Sequence, residues 1–313
     1  MTTSLVVHGG AGTIRRETMS AGMEAAHHAG LRKALDAGQA VLSAGGRALD
    51  AVTRAVMALE DDPLFNAGHG AVYTSAGRLE MDAAIMDGRD RAAGAVAGVM
   101  GPRNPVLAAR AVMERSGAVL LTGDGALDFL RTQDVTFEPV EYFHTDRRWQ
   151  ALQAELVRRA ANARDTRDDA DRHGTVGAVA RDVHGDLAAA TSTGGMTGKR
   201  PGRVGDCPVI GAGTWAQNGA CAVSCTGTGE VFIRHGAAHE IAARMRHGGQ
   251  TLARAAADVV AELLRDGGDG GLIAVGADGS VAMPFNSTGM YRGAIGADGV
   301  VRTAIYREAA GLV

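Results

Sequence analysis

Residues 171–180 read DRHGTVGAVA, and the chain changes character across the Gly174–Thr175 pair. Upstream, from Arg158 to Arg172, RRAANARDTRDDADR carries charge at most positions and nothing apolar beyond alanine, the composition of an exposed, mobile connector. Downstream, VGAVA is an apolar run of strand length with the look of a buried strand. A threonine at this seam has an ordinary reading, because β-branched residues open strands readily. It also has a second reading as a cleavage point, since a cut there would free the connector and leave the strand anchored.

Working outward, SLVVHGG near the start reads as a first strand, and a helical region follows from about Ser20 to Leu59. Its second part places Leu49, Val52, Val56 and Leu59 on one face, which predicts a core-facing helix. RNPVLAARAVMERSG predicts another helix, with Asn104 as cap, Pro105 in the first turn and Gly117 as stop. LEMDAAIMDG and AAGAVAGVM read as paired strands. Beyond the seam, TVGAVARDVHGDLAAATST predicts a hairpin about His184-Gly185, and CAVSCTGTGEVFI is expected to continue the sheet. A helical block from residue 237 to 266 precedes a final hairpin turning at Asp278-Gly279. Strands and helices without regular alternation predict stacked sheets with helices outside, in one domain.

Bulk properties exclude several classes. The formal net charge is -3 and aromatic residues make up 4%, so neither phosphate neutralisation nor base stacking is favoured, and nucleic acid is not an expected partner. No apolar span is long enough to cross a bilayer, so no membrane partner is expected. The opening MTTSLVVHGGAG lacks a basic leader, which predicts a cytoplasmic protein. Cys207, Cys221 and Cys225 cannot all pair with one another and are expected as reduced thiols; GACAVSC reads as packed strand, with ligation by Cys221 and Cys225 as the lesser reading. The 45 glycines are about twice the usual share and cluster beside strand-like segments, as where backbone must bend or approach a ligand.

For chemistry, there is no G-x-S-x-G elbow, H-E-x-x-H, C-x-x-C or P-loop, and GGMTGKR fails the P-loop spacing. His235 and His239 have the offset of a helical metal pair but no third ligand nearby, and read as surface histidines. What remains is threonine: Thr175, Thr191, Thr193, Thr197, Thr226 and Thr228 lie in or beside glycine-rich strand ends. A threonine hydroxyl needs a base, and no side chain is recommended as one by spacing. A threonine at a chain terminus carries its own: an α-amine with pKa of about 7.7–8.0, against about 10.4 for lysine. Thr175 becomes terminal only by cleavage after Gly174, a residue that tolerates the strained backbone of an internal attack.

Several long motifs in order then carry a resemblance. HGGAG, PLFNAGHGAVYT with MDAAIMDG, GTVGAVA, ATSTGGMTGKRPGRVGD, VSCTGTGEVFIR and GMYR closely resemble the plant-type asparaginase and isoaspartyl peptidase family of N-terminal nucleophile hydrolases along nearly the whole chain. The resemblance implies an α/β four-layer αββα sandwich. It implies self-cleavage into an α chain (residues 1–174) and a β chain (residues 175–313), with the connector at about 158–174, and assembly as a dimer of αβ heterodimers. It implies hydrolysis of L-asparagine or of β-aspartyl dipeptides. Alternatives are an amidase of the glycosylasparaginase kind, disfavoured by the absent leader, or a protein that never matures and only binds small molecules.

By motif, Thr175 corresponds to the nucleophile and, once freed, the base, with the cut at Gly174–Thr175. Thr193 corresponds to the residue that positions it, and Thr226 with the Gly227 N–H to the oxyanion hole. Arg203, Asp206 and Gly229 correspond to the pocket for the substrate's α-carboxylate and α-amine, with Thr226 and Gly227 also contacting substrate. A guanidinium suits a carboxylate, and an aspartate suits an ammonium. Asn66 corresponds to a support of the nucleophile's surroundings and a substrate contact. No cofactor is implied. LEDDPLFNAGHG resembles a sodium loop, implying carbonyl contacts from Leu59, Glu60, Asp62, Phe65, Ala67 and His69, although His69 departs from the residue type expected there.

Overall fold

In the computed structural model, which describes residues 2–161, 174–296 and 298–307, the opening apolar run forms β1 (Ser4–Gly12), buried at every position. The helical region after it is two helices, α1 (Ala21–Ser43) and α2 (Ala48–Glu60). Ser20 caps α1 by accepting the Met23 N–H, and Gly45 at φ +77° turns the chain between the helices. Leu49, Val52, Val56 and Leu59 are all buried, as their spacing predicts.

β2 (Met81–Asp87) and β3 (Ala93–Val99) pair antiparallel as expected. α3 (Pro105–Arg115) starts after Asn104 and ends before Gly117, but Asn104 does not cap it with its side chain. The Asn104 amide donates to Asp61, and the buried Glu60 carboxylate accepts the Val106 N–H instead, at 2.9 Å. The next stretch adds a short edge strand β4 (Leu120–Thr122) and helices α4 (Gly123–Arg131), α5 (Val140–Phe143) and α6 (Asp146–Ala160). Arg158 and Arg159 belong to α6, where both ion-pair with buried Glu155, so these first residues of the expected 158–174 connector are helix and not a mobile stretch. The connector's residues 162–173 lie outside the described residues.

β5 (Val176–Arg181) and β6 (Leu187–Thr193) form the hairpin expected after the seam. β7 (Thr214–Ala216) and β8 (Cys221–Gly227) follow, and here the sequence reading needs correction. β8 does not continue the first sheet but joins a second one, and EVFI is helical, within α7 (Gly229–His235). The pairing of β8 with the strand at Gly270–Gly276 ends at Gly227, at φ +149°, where a Cβ would meet the Asp269 carbonyl oxygen at 2.2 Å and only glycine fits; the Val231 N–H then bonds the Thr228 carbonyl in the first turn of the helix. The chain then winds into helix and buries Val231 and Phe232. α8 (Ala237–Gly248) and α9 (Leu252–Arg265) make up the expected helical block, and β9 (Gly270–Gly276) with β10 (Val281–Ala282) the expected hairpin. That hairpin is not the last element. β11 (Gly289–Ile295) and β12 (Val301–Tyr306) return to the first sheet beside β1.

The first sheet runs β12-β11-β1-β5-β6-β2-β3-β4 and the second β10-β9-β8-β7. Leu31, Leu35, Val52 and Val56 of α1 and α2 pack on one face of the first sheet with Ile85 and Ala178. Phe232, Ile241, Val259 and Leu263 cover the second sheet over Cys225 and Leu272. Between the sheets, Val6, Val179 and Ala189 meet Ala222, Ile273 and Val275, so the sheets face one another. Because β5 is antiparallel to β1 and β6, the start of β5 lies at the same end as the finish of those two strands.

Candidate active site

That shared end gathers the threonines. Val176 is opposite Ser192 in the β5–β6 register, which sets Thr175 beside Thr193. The Thr175 hydroxyl donates to Thr193 Oγ1 at 3.1 Å, and the Gly195 N–H donates to the same oxygen at 2.9 Å. Both threonines are buried, so the Thr175 hydroxyl is held in one direction rather than freely rotating in water.

The preceding residue is held as tightly. Gly174 has φ +153°, a conformation that favours glycine, and a Cβ on it would come within 3.0 Å of the Asn66 Cβ. On its other side Gly10, at φ +112°, presses so close that a Cβ there would lie 2.6 Å from Gly174 Cα and 3.0 Å from its carbonyl carbon. Asn66 is locked in turn: its Nδ2 donates to Gly195 O at 2.7 Å and its Oδ1 accepts the Val72 N–H at 3.0 Å. Asn66 is therefore a wall of the site, its amide committed to the scaffold.

Thr226 approaches from the second sheet. Its Oγ1 accepts the Ala11 N–H at 3.3 Å, which leaves its own hydroxyl proton for another acceptor. Gly227 beside it has no space for a side chain, its would-be Cβ lying 2.7 Å from Gly270 Cα. Past Gly227 the chain reaches Gly229, where a Cβ would meet Asp206 Oδ1 at 3.0 Å and Arg203 Nη2 at 3.1 Å. Arg203 and Asp206 thus flank a position kept open by a glycine. Arg203 is not paired with Asp206 but with Glu230, through Nε and Nη2 at 2.9 and 3.0 Å. Asp206 is buried with Oδ2 unpartnered, and desolvation pushes its pKa up to about 7. Beneath it, buried Asp82 is also raised by desolvation, while buried Lys199, donating to Glu80 O at 2.7 Å, is lowered by the same cause.

Other candidates separate from this site. His235 Nε2 lies in hydrogen-bond contact with Asp266 Oδ2 at 2.7 Å and the His239 ring packs on Trp215, so the two do not converge on a metal. The three cysteines are unpaired and buried, and burial pushes the Cys221 thiol up to about 12, which makes it a packing residue. Among the described residues no cluster of three His, Cys, Asp or Glu side chains could hold a metal.

The loop from Leu59 to His69 is wound around its own carbonyls. A Cβ on Gly68 would lie 2.5 Å from Glu60 O, and one on Gly70 would lie 2.7 Å from Pro63 O and closer still to Phe65 O. The Asp62 and Ala67 carbonyls accept the Phe65 and Gly70 N–H groups, and the Leu59 carbonyl accepts the Asp62 N–H. The Asp62 carboxylate accepts the Leu64 N–H, the His69 ring packs on Tyr142, and the buried Arg148 guanidinium donates to Gly70 O at 2.8 Å. Sequence reasoning missed Glu230, Ala11 and Gly10 as individual residues, although each lies inside a quoted motif. Only the folded register shows which main-chain or charged group faces which threonine.

The family model described as asparaginase matches residues 1–305. The isoaspartyl peptidase of Salmonella typhimurium is 53% identical over 97% of this chain and 98% of its own length. The isoaspartyl peptidase of Escherichia coli is 51% identical over 97% and 96%. The human isoaspartyl peptidase/L-asparaginase is 41% identical over 91% of both chains.

Proposed function

The chain belongs to the asparaginase family, and from that membership we propose that it is a self-cleaving threonine amidohydrolase. It is a hydrolase acting on asparagine and β-aspartyl peptides, as the names of its relatives support. The observation that carries the threonine mechanism is the Thr175 hydroxyl held 3.1 Å from Thr193 Oγ1 directly after a glycine clamped at φ +153°.

In maturation, the Thr175 Oγ attacks the Gly174 carbonyl carbon; the C–N bond breaks as the acyl group passes to oxygen and the hydroxyl proton passes to the departing nitrogen, which becomes the Thr175 α-amine, and water hydrolyses the ester. The products are an α chain ending at Gly174 and a β chain beginning at Thr175. In turnover, the freed α-amine accepts the Thr175 hydroxyl proton while Oγ bonds to the substrate's side-chain carbonyl carbon. The oxyanion lies against the Thr226 hydroxyl and the Gly227 N–H. The leaving ammonia or amino acid takes the proton, and water then releases aspartate from the ester. Thr193 aims the nucleophile, and Asn66 walls the scissile segment and the adjacent substrate.

Arg203 and Asp206 receive the α-carboxylate and α-ammonium across the space that Gly229 leaves open. Glu230 occupies one edge of the Arg203 guanidinium and fixes its plane. The motif resemblance favours a structural sodium ion held by Leu59, Glu60, Asp62, Phe65, Ala67 and His69 through main-chain oxygens, of which Leu59, Asp62 and Ala67 also accept N–H groups within the turn. Such an ion, when bound, supplies charge that stiffens the loop carrying Asn66. The face-to-face sheets with helices on their outer faces fit the four-layer αββα sandwich of the N-terminal nucleophile hydrolases. Buried free thiols fit a cytoplasmic enzyme, and the family resemblance favours a dimer of αβ units.

Ammonia release from asparagine and aspartate release from a β-aspartyl dipeptide, measured on wild type and Thr175→Ala, test the reading. Turnover by wild type alone is expected, and turnover by Thr175→Ala would move the nucleophile elsewhere.

A further inference from the structure

The strands that bring the three threonines together carry a second polar layer beneath them. Gly177 lies two residues after Thr175, Thr191 two before Thr193, and Ser224 two before Thr226, so each shares the face of the threonine above it. His8 of β1 stands opposite Gly177 in the register and completes the layer. His8, Thr191, Ser224 and Thr214 of β7 are all 0% exposed.

These four side chains are joined across the two sheets. Thr214 Oγ1 donates to Thr191 Oγ1 at 2.7 Å, the Thr191 and Ser224 hydroxyl oxygens are 2.7 Å apart, and Ser224 Oγ lies 2.9 Å from His8 Nε2. Gly177 provides the space, because a Cβ there would meet His8 Nε2 at 2.5 Å and Ser224 Oγ closer still. A hydroxyl donates one proton. Thr214 Oγ1 also reaches Cys207 O at 3.1 Å and Thr191 Oγ1 reaches Gly213 O at 3.4 Å, both longer than the 2.7 Å hydroxyl contacts; with the protons in the shorter contacts, Thr214 donates to Thr191, Thr191 to Ser224, and Ser224 to His8 Nε2. Nε2 is then the acceptor and the ring proton sits on Nδ1. Nδ1 is buried and makes no hydrogen bond in the uncut chain, and the backbone alongside the ring is the start of β5, where the His8–Gly177 pairing brings Thr175 within two residues. Burial also lowers the His8 pKa to about 3, so the ring stays neutral and carries a single proton whose place the hydroxyl chain decides.

We propose that His8 is a positioning residue for the nucleophile: its Nδ1–H, set by the Thr214–Thr191–Ser224 chain and unpartnered in the uncut chain, closes onto the Thr175 carbonyl as the site acts and steadies that residue against Thr193. This rests on Thr175 being the nucleophile. The same contact serves the cut and the turnover, since the Thr175 carbonyl lies downstream of the bond that breaks.

The test uses the full chain with His8→Leu, His8→Asn and Ser224→Ala. Three quantities are measured: the rate of fragment appearance, kcat and KM for asparagine in the cut enzyme, and Tm. His8→Leu removes the donor, and cutting and kcat are expected to fall about 10- to 100-fold with KM within about twofold. His8→Asn retains an N–H near the position of Nδ1 and is expected to recover most of that loss. Equal rates for His8→Leu and wild type, or no recovery by His8→Asn, would overturn the proposal in favour of simple packing. Should His8→Leu fail to fold, Ser224→Ala keeps the imidazole and removes only the hydroxyl that fixes its tautomer. A lower kcat is expected together with a Tm lowered by the lost hydroxyl contacts but a chain that still folds, and an unchanged kcat overturns the proposal. Imidazole ¹⁵N shifts give a separate readout, with Nδ1–H expected and Nε2–H contradicting it. Failure of the underlying reading looks different, because wild type itself then stays uncut.

Discussion

Thr193→Val replaces one hydroxyl by a methyl group at a buried position and removes the acceptor on which two donors converge, the Thr175 O–H at 3.1 Å and the Gly195 N–H at 2.9 Å. Each buried donor left without an acceptor costs about 1–3 kcal/mol. The Gly195 share is present before and during the reaction alike and appears as lower stability. The Thr175 share appears in the barrier, because the hydroxyl no longer has a fixed aim at the Gly174 carbonyl. At about 1.4 kcal/mol for each factor of ten, cutting should slow about 10- to 100-fold. The assay is a time course of the intact chain on denaturing gels after rapid purification, with Tm recorded in parallel. Thr193→Ser keeps the oxygen and should cut within a few-fold of wild type. Wild-type cutting by Thr193→Val, or equal slowing by Thr193→Ser, would refute the reasoning.

Asp206, with its pKa pushed to about 7, is neutral below that pH and loses its attraction for the substrate ammonium. Because the freed α-amine must also be unprotonated, kcat/KM for asparagine should fall with a limiting slope of about two decades per pH unit below about 7, and Asp206→Asn should lower it and reduce that slope to about one; a slope unchanged by the substitution would assign the second titration to another group. Glu60 is fully buried with its pKa raised from 4.5 to about 8, so the folded chain keeps a proton that the unfolded chain releases. Its contribution is therefore present below pH 4.5 and lost as pH rises towards 8. Glu60→Gln, which retains the oxygen accepting the Val106 N–H, should raise Tm at pH 8 with little change near the acid end; an unaltered pH profile of Tm would contradict this. Gly10→Ala would force a Cβ to 2.6 Å from Gly174 Cα at a φ of +112°, and should slow cutting far more than it lowers Tm; normal cutting would show that the clamp is not needed.

The seam at 174–175 was legible because polarity changes abruptly there and β5 is buried throughout. The α1, α2, α9 and β5–β6 elements were legible because each has a sustained period or a turn residue at its end. EVFI was misread because three adjacent apolar residues suit a strand, and only the folded register shows that β8 ends its pairing with β9 at Gly227–Gly270. β11 was missed since GMYRGAI contains two glycines and an arginine, residues that a lone strand seldom carries but that fit between β1 and β12. The roles of Arg203 and Asp206 came from motif matching, since nothing local distinguishes them from a surface ion pair. The Arg203–Glu230 contact depended on α7 beginning at Gly229. His8 and Ser224 are 216 positions apart, and no periodic pattern joins them before the sheets face one another.

The central claim is that the chain cuts itself between Gly174 and Thr175 and that the new terminus does the chemistry. Intact-mass analysis with N-terminal sequencing of the purified wild-type protein tests this most directly. Two fragments of about 18 and 14 kDa are expected, in proportion to their shares of the 32.1 kDa chain, the smaller beginning at Thr175. A single uncleaved chain that hydrolyses asparagine, or a smaller fragment beginning at any other residue, would contradict it.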